Sequence, residues 1–293
     1  MVIEHISDIL VDDNSENIKK PIIFVLMPIR SCLEMNLRDN HITAVTKLAM
    51  VLCLFLMAIQ NATAAPAGDL HSVWSELLGR HVSAGVVDYQ AMKKKENRLD
   101  EYLAILDATD PQQLQKAERL AFYINAYNAY TIKLILINFE NGRPVKSIKD
   151  IGGLFSGPWD IKLCRIGGKV YTLDNIEHDI IRPIFKDPRV HFAVNCASQS
   201  CPPLISEAYV GSRLDDQLQA NTINFINNKE FNRLDGSTLY VSKIFKWFPE
   251  DFNDDIVAFF RQYAQGDLQS RLLELGDDIT VKYLDYDWSL NNI

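Results

Sequence analysis

The chain has 293 residues, which is room for one large domain or two ordinary ones. Hydrophobic residues make up 47% and charged residues 23%, and this near-average composition excludes collagen-like, low-complexity and wholly disordered chains. The 38 Asp and Glu residues outnumber the 30 Lys and Arg residues and leave a formal net charge of −8. We therefore expect an acidic protein with a substantial core and no nucleic-acid partner, because duplex binding needs a broad basic surface.

The first predicted element is a signal peptide. Residues 48–59 read LAMVLCLFLMAI, and these twelve apolar residues fall short of the about 20 that a membrane-spanning helix needs. Lys47 precedes them, and Ala62-Thr63-Ala64 follows as an A-x-A cleavage site. The pattern favours a secretory signal over a buried helix or an uncleaved anchor.

This signal sets the predicted domain organisation. Residues 1–64 are expected to be an upstream extension and signal peptide that is removed, with Met35 as a natural start. Residues 65–293 are expected to form a single globular domain. The mature protein is then predicted to be periplasmic or secreted, with no stable membrane span.

Three helices are predicted in the first half of the mature chain. Apolar residues at helical spacing favour helices over residues 69–82 and 89–106, with Asp69 as the N-cap of the first. A third helix, over residues 112–139, contains AERLAFYINAYNAYTIKLILINF, which is apolar nearly all the way round. A helix without a polar face is buried, so we expect this one to be central to the fold.

The second half mixes strands with helices. Gly167-Gly168 between two apolar segments indicates a two-residue hairpin. The predicted strands cover 161–166, 169–172, 189–195, 238–242 and 279–284, and the predicted helices cover 174–182, 214–226 and 256–263. This order favours an α+β fold, in which N-terminal helices and a long buried central helix pack on a small mixed or antiparallel sheet.

Two cysteines lie in the loop CASQSCPP after the predicted strand 189–195. In one interpretation Cys196 is a nucleophilic thiolate whose pKa is lowered by a nearby imidazolium or helix N-terminus. In the other, Cys196 and Cys201 form a disulfide, which an exported protein can keep. The third cysteine of the mature chain, Cys164, lies mid-strand and is expected in the core.

The segment DNIEHDIIR supplies a possible base. His178 lies four residues after Asp174 and next to Glu177, and a carboxylate that orients an imidazole is what a general base needs. Asp174 and Glu177 also have the spacing of a capping box, so Glu177 could simply cap its own helix. His191 is the last histidine of the chain, so any site with Cys196 must take its histidine from earlier in the sequence.

The central helix carries two amides among apolar residues. Asn125 and Asn128 must be hydrogen-bonded if they are buried, either to loop backbone or as an oxyanion donor or the orienter of a histidine. The structural interpretation is favoured. We expect no metal and no cofactor, because no standard zinc spacing, phosphate-binding loop or dinucleotide motif occurs.

Five sequence blocks suggest a family. They read FYINAYNAYTI, TLDNIEHDIIRP, RVHFAVNCASQSCPPL, FKWFPEDF and YLDYDWSLN, and in this order they resemble the bacterial and plant family known as domain of unknown function 547. The resemblance implies an exported bacterial protein or a plant protein with a coiled-coil extension, and this chain looks like the exported kind. The positions that it singles out are Asn125, Asn128, Glu177, His178, His191, Cys196, Cys201, Trp247 and Trp288.

These residues support a hypothesis of a thiol-dependent envelope hydrolase or acyl-transferase. Cys196 would attack, His178 would be the base, Glu177 or Asp174 would orient it, and Asn125 or Asn128 would stabilise the oxyanion. The residues predicted to bind the ligand, a small molecule, peptide or glycan, are Asn128, His191, Cys201, Trp247 and Trp288. The hypothesis requires the DNIEHDIIR helix to meet the cysteine loop.

Two alternatives remain open. A non-catalytic periplasmic module could bind a peptide or glycan beside a structural Cys196–Cys201 disulfide. Thiol–disulfide exchange is less favoured, because C-x4-C is not the C-x-x-C spacing of thioredoxin-like motifs.

Overall fold

The structure is a computed structural model that describes residues 70–153 and 156–293. The signal peptide predicted within residues 1–64 and the N-cap predicted at Asp69 lie outside the described residues. Both stay predictions, as does the start of the domain at residue 65.

The first half of the described chain is helical. Its helices are α1 Ser72–His81, α2 Tyr89–Lys93, α3 Glu96–Ala108 and α4 Lys116–Ile137. Two short antiparallel strands, β1 Val82–Ser83 and β2 Val86–Val87, separate α1 from α2. The helix predicted over residues 89–106 is therefore two helices, with Lys94 and Lys95 at the break between them.

Helix α4 is the central helix that the sequence predicted. Every residue from 120 to 132 is buried, including the polar ones. Among the described residues, α4 is also the one helix long and apolar enough to cross a membrane. However, 89% of its apolar window is buried against the rest of the chain, as expected of a core helix.

The predicted hairpin forms next to α4. It consists of β3 Cys164–Ile166 and β4 Lys169–Tyr171, paired antiparallel. Gly167 and Gly168 both have positive φ, which a two-residue hairpin turn requires. The hydroxyl of Tyr130 donates to the carbonyl of Arg165 at 2.7 Å, so α4 holds the hairpin directly.

The DNIEHDIIR segment forms a π-helix that spans Asn175–Phe185. Its start is capped by Thr172, whose backbone N–H donates to Asn175 Oδ1 while its hydroxyl accepts from the Asn175 backbone N–H. The capping box predicted for Asp174 and Glu177 is therefore wrong, because the chain turns into the helix at Thr172 and Asp174 makes no cap hydrogen bond. The Glu177 carboxylate is left free for other contacts.

The strand predicted over 189–195 is also wrong. This segment begins as a 3-10 helix, Pro188–Phe192. Every side chain from residue 190 to 195 is buried, so there is no alternation of buried and exposed positions. Its backbone bonds to side-chain amides instead of a neighbouring strand: Asn128 Nδ2 donates to the carbonyl of Ala193, and Asn221 Nδ2 donates to that of Phe192. Because amides satisfy these groups, no sheet partner is needed.

The second half contains the three-stranded sheet. Its strands β5 Arg233–Asp235, β6 Thr238–Val241 and β7 Thr280–Tyr283 lie in that order, the first pair antiparallel and the second parallel. The helices of this half are α5 Leu214–Asn227, α6 Ile244–Trp247, α7 Ile256–Tyr263 and α8 Gly266–Leu275. The α+β class is confirmed, although the strands are divided among three small sheets.

Two hydrophobic cores meet at the segment after the π-helix. The first surrounds α4 and includes Val190, Ala193 and Val194. The second lies between the three-stranded sheet and helices α5 to α8, and includes Phe192. Residues 188–195 are thus fixed by both cores, which makes this segment a rigid support for the residues beside it.

Candidate functional site

A cavity of about 300 Å³ lies where the π-helix meets the cysteine loop. This is the juxtaposition that the enzymatic hypothesis required. The predicted site residues that line the cavity are Glu177, His178, His191, Cys196, Cys201, Trp247 and Trp288. Their roles stay predictions.

Cys196 lies at a strained turn. The next residue, Ala197, has a φ of 60°, a left-handed conformation that non-glycine residues rarely adopt. Asn195 holds the turn, because its Oδ1 accepts from the Ala197 backbone N–H at 2.9 Å and its Nδ2 donates to the carbonyl of Pro202 at 2.8 Å. The turn thus fixes the backbone beside Cys196 in a conformation that costs free energy and that these hydrogen bonds maintain.

The two loop cysteines are free thiols in contact. The Cys196 and Cys201 sulfurs lie 2.8 Å apart, well beyond the about 2.05 Å of a disulfide bond. Burial raises the pKa of Cys201, and the sulfur of Cys196 raises it further, so Cys201 keeps its proton and donates it toward Cys196. Cys201 is therefore the hydrogen-bond donor of the pair, and Cys196 is the acceptor.

Hydroxyl groups complete the surroundings of Cys196. Its sulfur lies 3.2 Å from Ser198 Oγ and 3.2 Å from the Tyr286 hydroxyl. The hydrogen bond from Cys201 lowers the pKa of Cys196 most, and those from Ser198 and Tyr286 lower it further, which together outweigh the effects of burial and of the Glu177 charge. Hydrogen-bond donors around a sulfur stabilise the thiolate, which is the reactive form.

His178 does not fit the role of base that was predicted for it. Arg182 Nη1 lies 3.0 Å from its Nδ1, and a guanidinium can only donate, so the lone pair of Nδ1 is occupied. Its Nε2 then carries the proton and faces Asp174 Oδ1 at 3.4 Å. Asp174 rather than Glu177 therefore orients this ring, and no hydrogen bond joins it to Cys196 among the described residues.

His191 is the other histidine of the cavity, and like His178 it makes no hydrogen bond to Cys196 among the described residues. Its Nε2 lies 2.6 Å from Asp251 Oδ2, and its ring is buried and stacked on Phe248 with centroids 4.5 Å apart. Burial raises the pKa of Asp251, but hydrogen bonds from His191 and Arg182 outweigh this and lower it to about 2. An ionised carboxylate only accepts, so Nε2 donates and Nδ1 keeps its lone pair beside the cavity.

Glu177 lies between the cysteine loop and α4. Burial raises the pKa of Tyr127, and the neighbouring Glu177 carboxylate raises it further, so the Tyr127 hydroxyl stays protonated. The charge of Glu177 also raises the pKa of Cys196. These effects place the carboxylate near both groups, and no hydrogen bond joins it to the His178 ring among the described residues.

One side of the cavity is aromatic. The ring centroids of Trp247 and Tyr286 are 4.7 Å apart, and those of Tyr286 and Trp288 are 4.6 Å apart. Trp159 joins this group edge-on to Trp288 at 5.6 Å. We call these four residues the aromatic wall. The sequence analysis selected Trp247 and Trp288 but missed the other two.

Asn125 and Asn128 do not reach the cavity. Asn125 Nδ2 donates to the carbonyl of Tyr209 at 2.7 Å, and its Oδ1 accepts from the Tyr209 N–H at 2.9 Å. Asn128 makes the same kind of pair with the carbonyl of Ala193 and the N–H of Asn195. Both amides thus satisfy buried backbone groups, which favours the structural interpretation; the catalytic role of Asn125 and the ligand contact of Asn128 stay predictions.

Replacing Asn125 with leucine is expected to lower the free energy of unfolding by about 2–5 kcal/mol. The carbonyl and the N–H of Tyr209 would both be left buried without a partner, and each such group costs about 1–3 kcal/mol. Urea denaturation of the variant and the parent protein measures the difference. Asn97→Leu is the matched control, since Asn97 is an exposed residue of α3 and its replacement should change stability by less than about 0.5 kcal/mol. An unchanged stability in Asn125→Leu would contradict the structural role.

The residues that sequence reasoning missed come from distant parts of the chain. Asp251 lies in the block FKWFPEDF and Tyr286 in the block YLDYDWSLN, so a signal was present in both. Neither residue lies near Cys196 along the chain. Within the described residues, no group of three or more His, Cys, Asp or Glu side chains is arranged to hold a metal ion.

Comparison with known proteins gives one match. Residues 111–226 match the family described as "Protein of unknown function, DUF547", which confirms the resemblance drawn from the sequence blocks. The match covers α4, the π-helix, His191 and both loop cysteines, and ends before Trp247 and Asp251. No curated protein and no solved structure matches the chain.

Proposed function

We propose that this chain, which belongs to the DUF547 family through residues 111–226, is a thiol-dependent hydrolase or acyl-transferase. Cys196 is the nucleophile, and His191, oriented by Asp251, is the general base. The observation that carries the proposal is a single cavity lined by a thiol whose pKa is lowered by hydrogen bonds and by an imidazole held by a half-buried carboxylate. Nucleophile, base and orienting acid are the three parts that covalent acyl transfer needs.

The proposed reaction has two steps. The Cys196 sulfur attacks the carbonyl carbon of an acyl substrate while its proton passes to Nδ1 of His191, and the leaving group departs with that proton as its bond to carbon breaks. Water or an acceptor then gives a proton to His191 and attacks the thioester. The carbon–sulfur bond breaks, the acyl product leaves, and the proton on His191 returns to the thiolate.

Two tyrosines can stabilise the negative charge that forms on the carbonyl oxygen. Burial raises the pKa of Tyr127 and of Tyr286, so both hydroxyls remain donors at neutral pH. Both residues line the cavity. Hydrogen-bond donors fixed beside a forming oxyanion are often the largest contribution to catalysis. The Tyr127 hydroxyl is hydrogen-bonded to Glu177, so Tyr286, whose hydroxyl lies 3.2 Å from the Cys196 sulfur, is the better placed of the two.

Alkylation by iodoacetamide tests the nucleophile. Only the thiolate reacts, so the rate at Cys196 should rise with pH through its pKa, which lies below the ordinary value of 9. Burial raises the pKa of Cys164 to about 12, so Cys164 should stay unlabelled until far more alkaline pH. Peptide mapping by mass spectrometry after short exposures at pH 6 to 9 measures both rates. Equal slow labelling of all accessible thiols, or none at Cys196, would contradict the proposal.

A non-catalytic binding module is the second candidate. The aromatic wall favours it, since such rings stack on sugars and peptide side chains, and sulfurs 2.8 Å apart need little movement to form a disulfide. Peptide mapping without reductant separates the two candidates. A quantitative Cys196–Cys201 disulfide in the isolated protein supports the binding module, and free thiols support the enzyme.

Export is proposed as well, and it rests on the sequence of residues 48–64. The mature protein would be periplasmic or secreted, with a small-molecule, peptide or glycan ligand. Sequencing the N-terminus of the protein recovered from the cell envelope tests this, because cleavage after Ala64 leaves a chain that begins at residue 65.

A further inference from the structure

The charged residues of the cavity have one sign. Asp160, Asp174 and Glu177 line it, and no Lys or Arg does so among the residues that the structure describes. Arg182, which lies close by, contributes to a neighbouring cavity instead. Its guanidinium is bound to Glu250 and Asp251, each at 2.5 Å. The cavity therefore has a negative potential that favours a cationic ligand.

The aromatic wall adds to this preference. The face of an aromatic ring carries partial negative charge, so Trp and Tyr rings attract cations within about 6 Å of the ring centroid. Lys149 shows this on the wall itself, because its Nζ lies 5.1 Å from the centroid of the Trp288 ring. Lys149 does not line the cavity, so the cavity side of the wall is open to a second cation.

From these observations we infer that the substrate carries a primary alkylammonium group, bound between the aromatic wall and the carboxylates of Asp160, Asp174 and Glu177. The inference rests on the proposed function, since it concerns the substrate class of the same cavity. The ring faces of the aromatic wall attract the ammonium charge and pack against the methylene groups next to it. The carboxylates accept hydrogen bonds from the nitrogen.

Such a ligand would also affect the nucleophile. The negative charge of Glu177 raises the pKa of Cys196. A cation bound beside Glu177 offsets this charge, so substrate binding would favour the thiolate of Cys196. The Glu177 carboxylate thereby makes the reactivity of Cys196 depend on a cationic substrate.

Binding of three probes of equal length tests the inference. Pentylammonium chloride, 1-pentanol and sodium pentanoate differ in charge and each contain five carbon atoms in an unbranched chain, and titration calorimetry on the full chain carrying Cys196→Ser measures each without a reaction. Pentylammonium is expected to bind at least about ten-fold more tightly than pentanol, and pentanoate more weakly than either. Equal affinities for the ammonium and the alcohol, or a preference for pentanoate, would overturn the inference.

A charge-matched pair of variants localises the effect. Glu177→Gln should reduce the affinity for pentylammonium about ten-fold and leave that for pentanol unchanged. Asp179→Asn is the control, because Asp179 lies on the same π-helix and loses the same charge but does not line the cavity. If the two variants lose the same affinity for pentylammonium, the attraction is only long-range and the cavity does not contain a defined ammonium site.

This outcome is separable from that of the enzymatic proposal. If pentylammonium binds but Cys196 resists iodoacetamide, the ligand class stands and the thiol chemistry is wrong. If Cys196 is reactive and pentanol binds as tightly as pentylammonium, the chemistry stands and the ligand class is wrong.

Discussion

Replacing Cys196 with serine is expected to lower the turnover of an activated acyl ester or thioester by roughly a thousand-fold or more. The sulfur forms the bond to the acyl group, and removal of an enzyme's nucleophile usually costs at least this factor. The hydroxyl of serine lacks the lowered pKa that hydrogen bonding gives the Cys196 thiol. Steady-state hydrolysis of a chromogenic acyl ester by the two purified proteins measures the difference.

Cys164→Ala is the matched control for this substitution. Cys164 is also a free thiol of the described chain, but it is buried in the core around α4 and does not line the cavity. Its replacement should leave turnover unchanged at a temperature where the variant is folded. If Cys196→Ser keeps most of the activity, the nucleophile is not Cys196 and the enzymatic proposal is wrong.

The two histidines of the cavity are expected to differ sharply. His191→Gln should lower kcat about 10²- to 10⁴-fold, the usual contribution of a general base, because it removes the nitrogen that Asp251 orients. His178→Gln should lower kcat by a few-fold only, since its lone pair is already occupied by Arg182. Measuring kcat and KM for both variants from pH 5 to 9 tests this, and the pH dependence that a base causes should disappear only in His191→Gln.

A structural effect of His191→Gln can be separated from a catalytic one. His191 is buried and stacks on Phe248, so thermal unfolding of the variant should accompany the kinetics. Asp251→Asn supplies a second measurement, because it leaves the ring in place and removes the charge that sets its tautomer. A larger loss in His178→Gln than in His191→Gln would restore His178 as the base.

The central helix and the hairpin could be predicted because their signals are local. The apolar sequence of α4 has no polar face, and the double glycine at 167–168 adopts the positive φ values that its turn requires. The alternating pattern of apolar residues over 189–195 wrongly predicted a strand, and the reason is physical. Both alternating sets of side chains are buried, and Asn128 and Asn221 replace the strand partner that the pattern implied.

The site was predictable only in part. The sequence showed that Cys196, a preceding histidine and a carboxylate are present, and the family resemblance pointed to the blocks that contain them. The sequence could not choose between His178 and His191, because the hydrogen bonds of the two rings depend on Arg182 and Asp251. These two residues lie 69 positions apart in the sequence and meet only when the cores have packed. Nor could the sequence show that Asn125 is fully used by Tyr209.

The sequence by itself determined the α+β class, the buried central helix and the chemical types of the reactive residues. These follow from hydrophobic periodicity and turn residues, which act over a few neighbouring positions. Only the tertiary structure decided which side chains share the cavity, which histidine keeps a lone pair and which thiol can ionise. Hydrogen bonds and charges between distant segments set those properties, and they exist only once the two cores have packed.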